Sequence, residues 1–324
     1  MKAIVYREYG SPDVLKMETV DTPTPKENEV LIRVHAATVN RTDCAMLRAK
    51  PFIMRFMTGL FKPRNPVLGT DFAGKIASVG PGVTSFCIGD RVFVFDDNGL
   101  SSHAEYLVLS ENKAISVMPE NMSYEQAAAS IEGAHYAYNF INKIKLEVGQ
   151  RVLVNGATGA IGSAAVQLLK FLGAEVDAVC STENIDLVKA MGVDNVIDYT
   201  KEDFTQSQQD YDYVFDAVGK STFSRCKPLL KSGGIYISSE LGFMAQNLFL
   251  SLVPPLPGIK KVKFPIPVDI KRSLHFVKSL IDQGHFNALM DRTYPMDQIA
   301  DAFRYVEKGQ KTGNVTIKMD VSKV

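Results

Sequence analysis

The chain has 324 residues, with 36 lysines and arginines against 36 aspartates and glutamates and a hydrophobic fraction of 46%. That length exceeds one small core and suits about two domains, while the balanced charge offers no basic surface for nucleic acid. The N-terminus, MKAIVYREYG, meets charge by Arg7 and does not read as a signal peptide, and no later apolar run is long enough to span a membrane.

Residues 1–120 read as β-rich. EVLIRVHAATVN (29–40) is full of β-formers, and GKIASVGPGVTSFCIGDRVFVF (74–95) alternates short β runs with Gly/Pro turns. PFIMRFMTGLFKPR (51–64) is apolar and basic, and by itself reads as a packed helix with solvated Arg and Lys. From about residue 123, SYEQAAAS brings in helical periodicity. After Gly149 the pattern predicts strand 151–155, helix 160–172, strand 175–180, helix 183–191, strand 194–198, strand 211–218, a helix near 220–230 and strand 233–239. Strands separated by helices predict a parallel sheet with helices on both faces. FMAQNLFLSLVPPLPG (243–258) is apolar but too short to cross a membrane. Helices follow in DIKRSLHFVKSLIDQG, from near 268, and in MDQIADAFRYVEKG, before a closing strand GNVTIKM. This pattern leaves open whether the C-terminal segment packs with the first domain or the second.

The densest signal is VLVNGATGAIGSAAVQLLKFLG (152–173), in which Gly156, Gly159 and Gly162 recur between a buried strand and a helix. Free N–H groups point outward from such a turn, and the helix start is electropositive, so a pyrophosphate fits if side chains stay clear. Gly159 would let the backbone approach the phosphates and Gly162 would let the helix sit close to the sheet. Ile161, Ala165, Leu168 and Leu172 form the apolar stripe. Ala157 stands where the full GxGxxG has its first glycine. Many α/β proteins carry such a turn as bare geometry, and it is the repeating βα units that favour a dinucleotide here.

Taken together, AATVNRTD (36–43), PVLGTDFAG (66–74), GVTSFCIGDRVF (82–93), NGATGAIG (155–162), NVIDY (195–199) and YVEKGQKTGNVTI (305–317) resemble the medium-chain dehydrogenase/reductase superfamily, in its zinc-free quinone oxidoreductase branch. The resemblance spans essentially the whole chain. It implies an α/β protein with a GroES-like β domain, residues 1–122 and 268–324, and a Rossmann dinucleotide-binding domain, a doubly wound parallel sheet, over 123–267. It also implies a homodimer. Cofactor contacts are expected at Asn40, Gly156, Thr158, Gly159, Ala160, Ile161, Ser181, Asn184, Tyr199, Val218 and Gly219.

Zinc-dependent members of that superfamily use a Cys, a His-Glu pair and a later Cys or Asp as ligands. Here Thr70-Asp71 stands at the His-Glu position, and Asn40 and Asp43 occupy the stretch of the early Cys. The four cysteines, Cys44, Cys87, Cys180 and Cys226, form no CxxC pair, so neither a disulfide framework nor a structural zinc lobe is expected and a reducing cytoplasm is the default compartment. No metal is expected, and Cys44 reads as a packed thiol. Without a Lewis acid to polarise an alcohol, an already electrophilic acceptor becomes the better substrate.

The bland reading of Asp43 is a helix cap, and of Asn40 a strand end; the resemblance implies that Asn40 reaches the cofactor, and Asp43 is carried as a candidate for chemistry. In IEGAHYAYNF (131–140), Glu132 and His135 replace the family's small residue and threonine. His135 is a candidate proton shuttle, against the plainer reading of a structural hydrogen-bonder, and Glu132 either orients it or caps the helix. In family terms Phe52, Phe56, Met57 and Leu60 form one wall of a cleft, and 243–258 forms the opposite wall or a dimer contact. That suits a small hydrophobic electron acceptor.

The cofactor is expected to be NADPH. NAD-specific folds place an acid at the end of the second strand. Here EVDAVCST (175–182) ends in Cys180-Ser181, with Asp177 inside the strand and Glu183 beyond the expected place. Tyr199 matches the family's tyrosine for the 2′-phosphate. Asn184 stands where a basic residue is common, so the NADPH preference should be moderate. The expected function is a zinc-independent NADPH-dependent reductase of quinones or α,β-unsaturated carbonyls. The alternatives are a 2-enoyl-thioester reductase, with Arg55, Lys62 and Arg64 available to a carrier's phosphates, and a non-enzymatic cofactor-binding regulatory protein.

Overall fold

The computed structural model describes residues 1–242, 245–254, 258–266 and 268–320. In chain order, β1 (Lys2–Val5), β2 (Lys16–Thr19) and β3 (Glu29–Val39) lead into α1 (Arg41–Arg48) and α2 (Met54–Thr58). Then come β4 (Asp71–Val79), β5 (Arg91–Phe95), β6 (Tyr106–Ser110), β7 (Ile115–Val117) and α3 (Tyr124–Ala129). The α/β portion follows: α4 (Glu132–Ile141), β8 (Arg151–Asn155), α5 (Ala160–Phe171), β9 (Glu175–Cys180), α6 (Ile185–Ala190), β10 (Asn195–Asp198), β11 (Tyr211–Asp216), α7 (Phe223–Cys226), β12 (Leu230–Ser238), α8 (Gln246–Ser251) and β13 (Lys261–Lys263). The chain closes with α9 (Ile270–Asp282), β14 (Met290–Pro295), α10 (Ile299–Glu307) and β15 (Asn314–Lys318).

Two compact units emerge. The first is Met1–Glu132 with Ile270–Asp282 and Met290–Val324; the second is Gly133–Asp269 with Gln283–Leu289. The boundary differs from the expected one at both ends. Residues 123–132 join the first unit because α3 packs on β3, β4 and β15. Residues 283–289 join the second, where the Asn287 amide and carbonyl bond the Gln167 side chain on α5.

The first unit is built on β3. Its inward residues Val30, Ile32, Val34 and Ala36 recur with period two, which is what a strand with one face on a core requires. It pairs antiparallel with β15, β4 and β6, so the last strand of the chain lies beside one of the first. Phe303 on α10 is fully buried and meets the His103 ring edge-to-face at 5.8 Å. The last strand and α10 are therefore part of this core.

The second unit is a parallel sheet in the order β10-β9-β8-β11-β12-β13. The order reverses at β8, and ligands of such sheets bind beyond the strand ends at that switch. The α5 helix is buried almost all round, Gly162, Ala164, Val166 and Leu169 included, rather than along the single stripe expected. The region expected to hold one helix near 220–230 holds the short α7 and a further tight turn over Lys227–Leu229. The expected helix from 183 begins as a tight turn over Thr182–Asn184. Among the described residues no helix is long and apolar enough to cross a membrane.

The 51–64 stretch is not a packed helix. It forms the five-residue α2 with Phe52, Phe56, Met57 and Leu60 exposed. Arg55 lies over the Tyr9 ring at 4.8 Å, and the Tyr9 hydroxyl donates to the Gly59 carbonyl. In the second apolar stretch, residues 243–244 and 255–257 lie outside the described residues; Phe249, Leu252 and Val253 are exposed.

Removing the Phe303 ring should cost the first unit about 3 to 5 kcal/mol, the range for deleting a buried aromatic. Phe303→Ala is expected to lower the urea midpoint accordingly; an unchanged midpoint would detach α10 from this core.

Candidate functional site

In the second unit the glycine turn divides its labour by position. Gly156 has φ +81°, and a Cβ there would come within 2.3 Å of the Val218 side chain. A Cβ on Gly162 would lie 2.0 Å from the Gly156 carbonyl, so only glycine lets α5 start this close to the end of β8. Gly159 differs. It is the N-cap of α5, with ordinary φ −71°, and a Cβ there would meet only the Gly156 oxygen at 3.6 Å. The space above Gly159 is open, at a helix start whose N–H groups point outward. A pyrophosphate fits such a cradle.

The loop closing the other side of the turn is organised by Asp216, at the end of β11. Its fully buried carboxyl accepts from the Asn155 side chain (3.0 Å), the Gly219 amide (3.0 Å), the Ser221 amide (3.1 Å), the Tyr236 hydroxyl (2.9 Å) and, more weakly, the Val218 amide (3.4 Å). Gly219 has φ +64°, and a Cβ on it would strike Glu240 at 2.2 Å. Val218 and Gly219 are thus fixed beside Gly156 by a residue the sequence reading did not single out. An Asp closing an apolar run, YDYVFD, was the available signal.

At the ends of β9 and β10, Ser181 accepts from the Asn184 amide at 2.9 Å, and Glu183 lies 3.4 Å from the Ser181 hydroxyl. Thr182 bonds both Asp198 (2.5 Å) and Thr200 (2.8 Å), tying the two loops together. Tyr199 is 59% exposed and shares a groove with Lys201 and Arg225. Lys201 lies 3.3 Å from Asp198, and Arg225 bonds Asp203 at 2.9 Å. Neither cation was named from the sequence, because a contact across two loops has no linear spacing.

In the first unit Asn40 is the N-cap of α1. Its Oδ1 accepts from the Asp43 amide (2.9 Å), its own amide donates to Asp43 Oδ2 (3.0 Å), and its Nδ2 donates to Thr70 (2.7 Å). Asp71, fully buried, takes both the amide (2.9 Å) and the hydroxyl (2.8 Å) of Thr38. Glu132 accepts from the Thr42 hydroxyl at 3.4 Å. Burial, then the charge of Glu132, pushes the Asp71 carboxyl up to about 8, and burial pushes Glu132 up to about 7 against the pull of the Lys311 ammonium. Asp43 is raised well above the usual carboxylate range by burial first and Asp71 second.

Comparison with known proteins now decides the family. Residues 26–120 match the alcohol dehydrogenase GroES-like domain, and residues 191–317 match the zinc-binding dehydrogenase domain. The chain is 32% identical to a 2-methylene-furan-3-one reductase of Solanum lycopersicum, over 98% of the chain and 79% of that protein. It is 31% identical to an NADPH-dependent alkenal/one oxidoreductase, chloroplastic, of Arabidopsis thaliana, over 98% and 79% respectively. The structure of a quinone oxidoreductase from Coxiella burnetii superposes with a TM-score of 0.84 at 26% identity, over 98% of this chain and 99% of that one. The chain belongs to the medium-chain dehydrogenase/reductase superfamily, in its quinone-oxidoreductase-like branch.

Asn40, Asp43 and His135 are all buried. Asp43 is fully buried and completes a capping box with Asn40; the cap is Asn40, with Asp43 returning the bond, the reverse of the roles read from sequence. Asn40 spends its Oδ1 and one amide proton inside the domain. His135 is 1% exposed, its Nε2 lies 3.2 Å from the Asn139 amide, and burial pushes it down to about 4. Glu132 bonds Thr42 rather than orienting that ring. Cys44 is buried and burial holds its thiol protonated, as a packed thiol should be. Among the described residues no group of three or more His, Cys, Asp or Glu is placed to hold a metal ion. Thr158 and Ile161 are half-buried at the turn, and Ala160 is buried there.

Because Gly159 has both space and an unstrained backbone, Gly159→Val should fold normally while its side chain fills the cradle. Dinucleotide affinity is expected to fall by more than about a hundredfold with an unchanged melting temperature. Unchanged affinity by titration calorimetry would remove the turn from the site.

Proposed function

We propose that the chain is an NADPH-dependent oxidoreductase that delivers hydride to a quinone or an α,β-unsaturated carbonyl without a metal. The observation that carries this reading is the state of Thr70 and Asp71. Where zinc-dependent members have a His-Glu pair, these side chains are consumed by Asn40 and Thr38, and no imidazole or thiolate set converges on them among the described residues. Polarising a simple alcohol needs a Lewis acid; an activated alkene or quinone does not. The relatives named for enone and quinone reduction support the same reading.

The cofactor supplies the hydride when bound. The chain's own part begins with the open Gly159 turn at the start of α5, which takes the pyrophosphate, and with Asp216, which holds Val218 and Gly219 against it. Ser181, Asn184 and Tyr199 take the ribose end. Lys201 and Arg225 share the Tyr199 groove and provide the positive charge that Asn184 lacks. Glu183, close to Ser181, opposes a phosphate there and keeps the preference moderate. The same reading includes a cytoplasmic homodimer. Its support is the family resemblance and four cysteines that are all free, as a reducing compartment allows.

NADPH oxidation with 9,10-phenanthrenequinone, an enone and a crotonyl thioester, each with chelator present, tests the reading. Turnover of the first two is expected to survive exhaustive chelation. Preference for the thioester would make the protein a thioester reductase, and no turnover at all a binding protein.

For the cofactor, kcat/KM should favour NADPH over NADH by about tenfold to a hundredfold, or about 1.4 to 2.8 kcal/mol. Lys201→Ala should cut that ratio more than Ser181→Ala or Tyr199→Phe. Equal values for the two cofactors in the parent protein would overturn the assignment.

A further inference from the structure

Residues 51–64 of the first unit turn their apolar side outward. The inner side of α2 is docked. Met54 packs against the core, the Thr58 hydroxyl donates to the Met54 carbonyl at 2.9 Å, and the Tyr9 hydroxyl lies 2.8 Å from that of Thr58. Tyr9 also donates to the Gly59 carbonyl at 2.6 Å. The Arg55 guanidinium lies 4.8 Å over the Tyr9 ring and donates to the Leu60 carbonyl at 3.1 Å. The Arg64 amide returns to the Thr58 carbonyl at 2.8 Å. Gly59 turns the chain at φ +132°, and a Cβ there would lie 2.1 Å from the Lys62 carbonyl oxygen. These contacts hold one side of the segment on the unit and commit the other side to the exterior.

That outer side is apolar. Phe52 and Phe56, and Ile53 and Met57, are four residues apart and share one side of the helical turn. Leu60 and Phe61 follow beyond Gly59. Phe61 is 86% exposed and the other five are between 43% and 65% exposed, with the Phe52 and Phe56 rings edge-to-face at 6.0 Å. An exposed apolar cluster of this size marks a surface that another apolar phase covers. The surrounding charge says which phase. From residue 44 to residue 70 the chain has five lysines and arginines and no aspartate or glutamate. Arg48 is committed to Glu307 and Arg55 to Tyr9. Lys50, Lys62 and Arg64 are exposed, and among the described residues none of them pairs with a carboxylate. A second copy of the same face would set these cations against their own counterparts, which repel. A bilayer with anionic headgroups takes the rings at its acyl boundary and the cations at its surface.

We propose that this face docks the protein on an anionic phospholipid surface, lying in the interface without spanning it. The six apolar side chains enter the acyl boundary, while Lys50, Lys62 and Arg64 meet the headgroup phosphates and carboxylates. The two contributions act together. Three cations alone are screened at physiological ionic strength, and a patch this short inserts only shallowly. Docking therefore needs both the rings and the anionic lipid, and it weakens as salt rises. It does not depend on the reductase reading. For an acceptor that partitions into lipid, it places the protein at the phase that holds its substrate.

The chain contains no tryptophan, so Phe61→Trp places a single reporter at the most exposed of the six positions. With vesicles of equal parts phosphatidylcholine and phosphatidylserine, its emission should shift to the blue and be quenched by brominated acyl chains. Phosphatidylcholine alone should bind at least about tenfold more weakly. The parent chain should float with the same vesicles and be released at about 1 M salt, where the screening length is about 3 Å. Ile53→Ser with Phe61→Ser, and separately Lys62→Glu with Arg64→Glu, should each weaken vesicle binding by about tenfold or more. All four side chains are exposed, so the melting temperature should not change. Equal binding to both vesicle types, binding unaffected by either pair of substitutions, or an unshifted tryptophan emission would overturn the proposal. A blue shift that grows with protein concentration in the absence of vesicles would also overturn it, and would make the face a contact between copies of the chain. If either pair lowers the melting temperature, Phe61→Trp and flotation of the parent chain decide.

Discussion

The dinucleotide unit depends on one buried carboxyl. Asp216 ends β11 at the point where the sheet order reverses, and it gathers donors from β8, from β12 and from the loop that follows it. Strand ends carry unpaired backbone N–H groups that must find partners when buried. A single acid that satisfies several of them fixes the loop without help from a ligand. The Val218 side chain is thereby pressed against Gly156, and Gly156 is pressed against Gly162. The open space above Gly159 is what remains once these contacts are made.

The first unit solves a different problem with the same chemistry. Carboxyl groups inside a domain are costly when ionised. Here capping bonds, the Thr38 hydroxyl and amide, and the half-buried Lys311 ammonium share that cost unequally among Asp43, Asp71 and Glu132. Thr70 and Asp71 are held by Asn40 and Thr38 in one hydrogen-bonded core.

Legibility in the sequence followed the range of the interaction. The β8-turn-α5 unit was readable because strand, glycines and helix are contiguous, and Glu175–Cys180 matched its expected span residue for residue. Asn40 and Asp43 were readable as important but were given inverted roles, since a capping box binds both residues reciprocally. His135 was singled out by type, and the fold buries its ring beside Asn139. Asp216, Lys201 and Arg225 were missed because their partners lie on other strands and loops. The 51–64 segment misled for the opposite reason, as apolar residues were taken for buried ones.

The sequence by itself determined the alternation of strands and helices and the glycine turn between β8 and α5, because each is written in neighbouring residues. The family resemblance added the return of the C-terminal segment to the first unit. Only the tertiary structure decided which acids are buried, which of them act on one another through space, and that α3 belongs with the first unit. Burial and proximity set the proton affinity of a carboxyl, and neither exists until distant segments such as 40–43, 70–71, 132 and 311 are brought into one core.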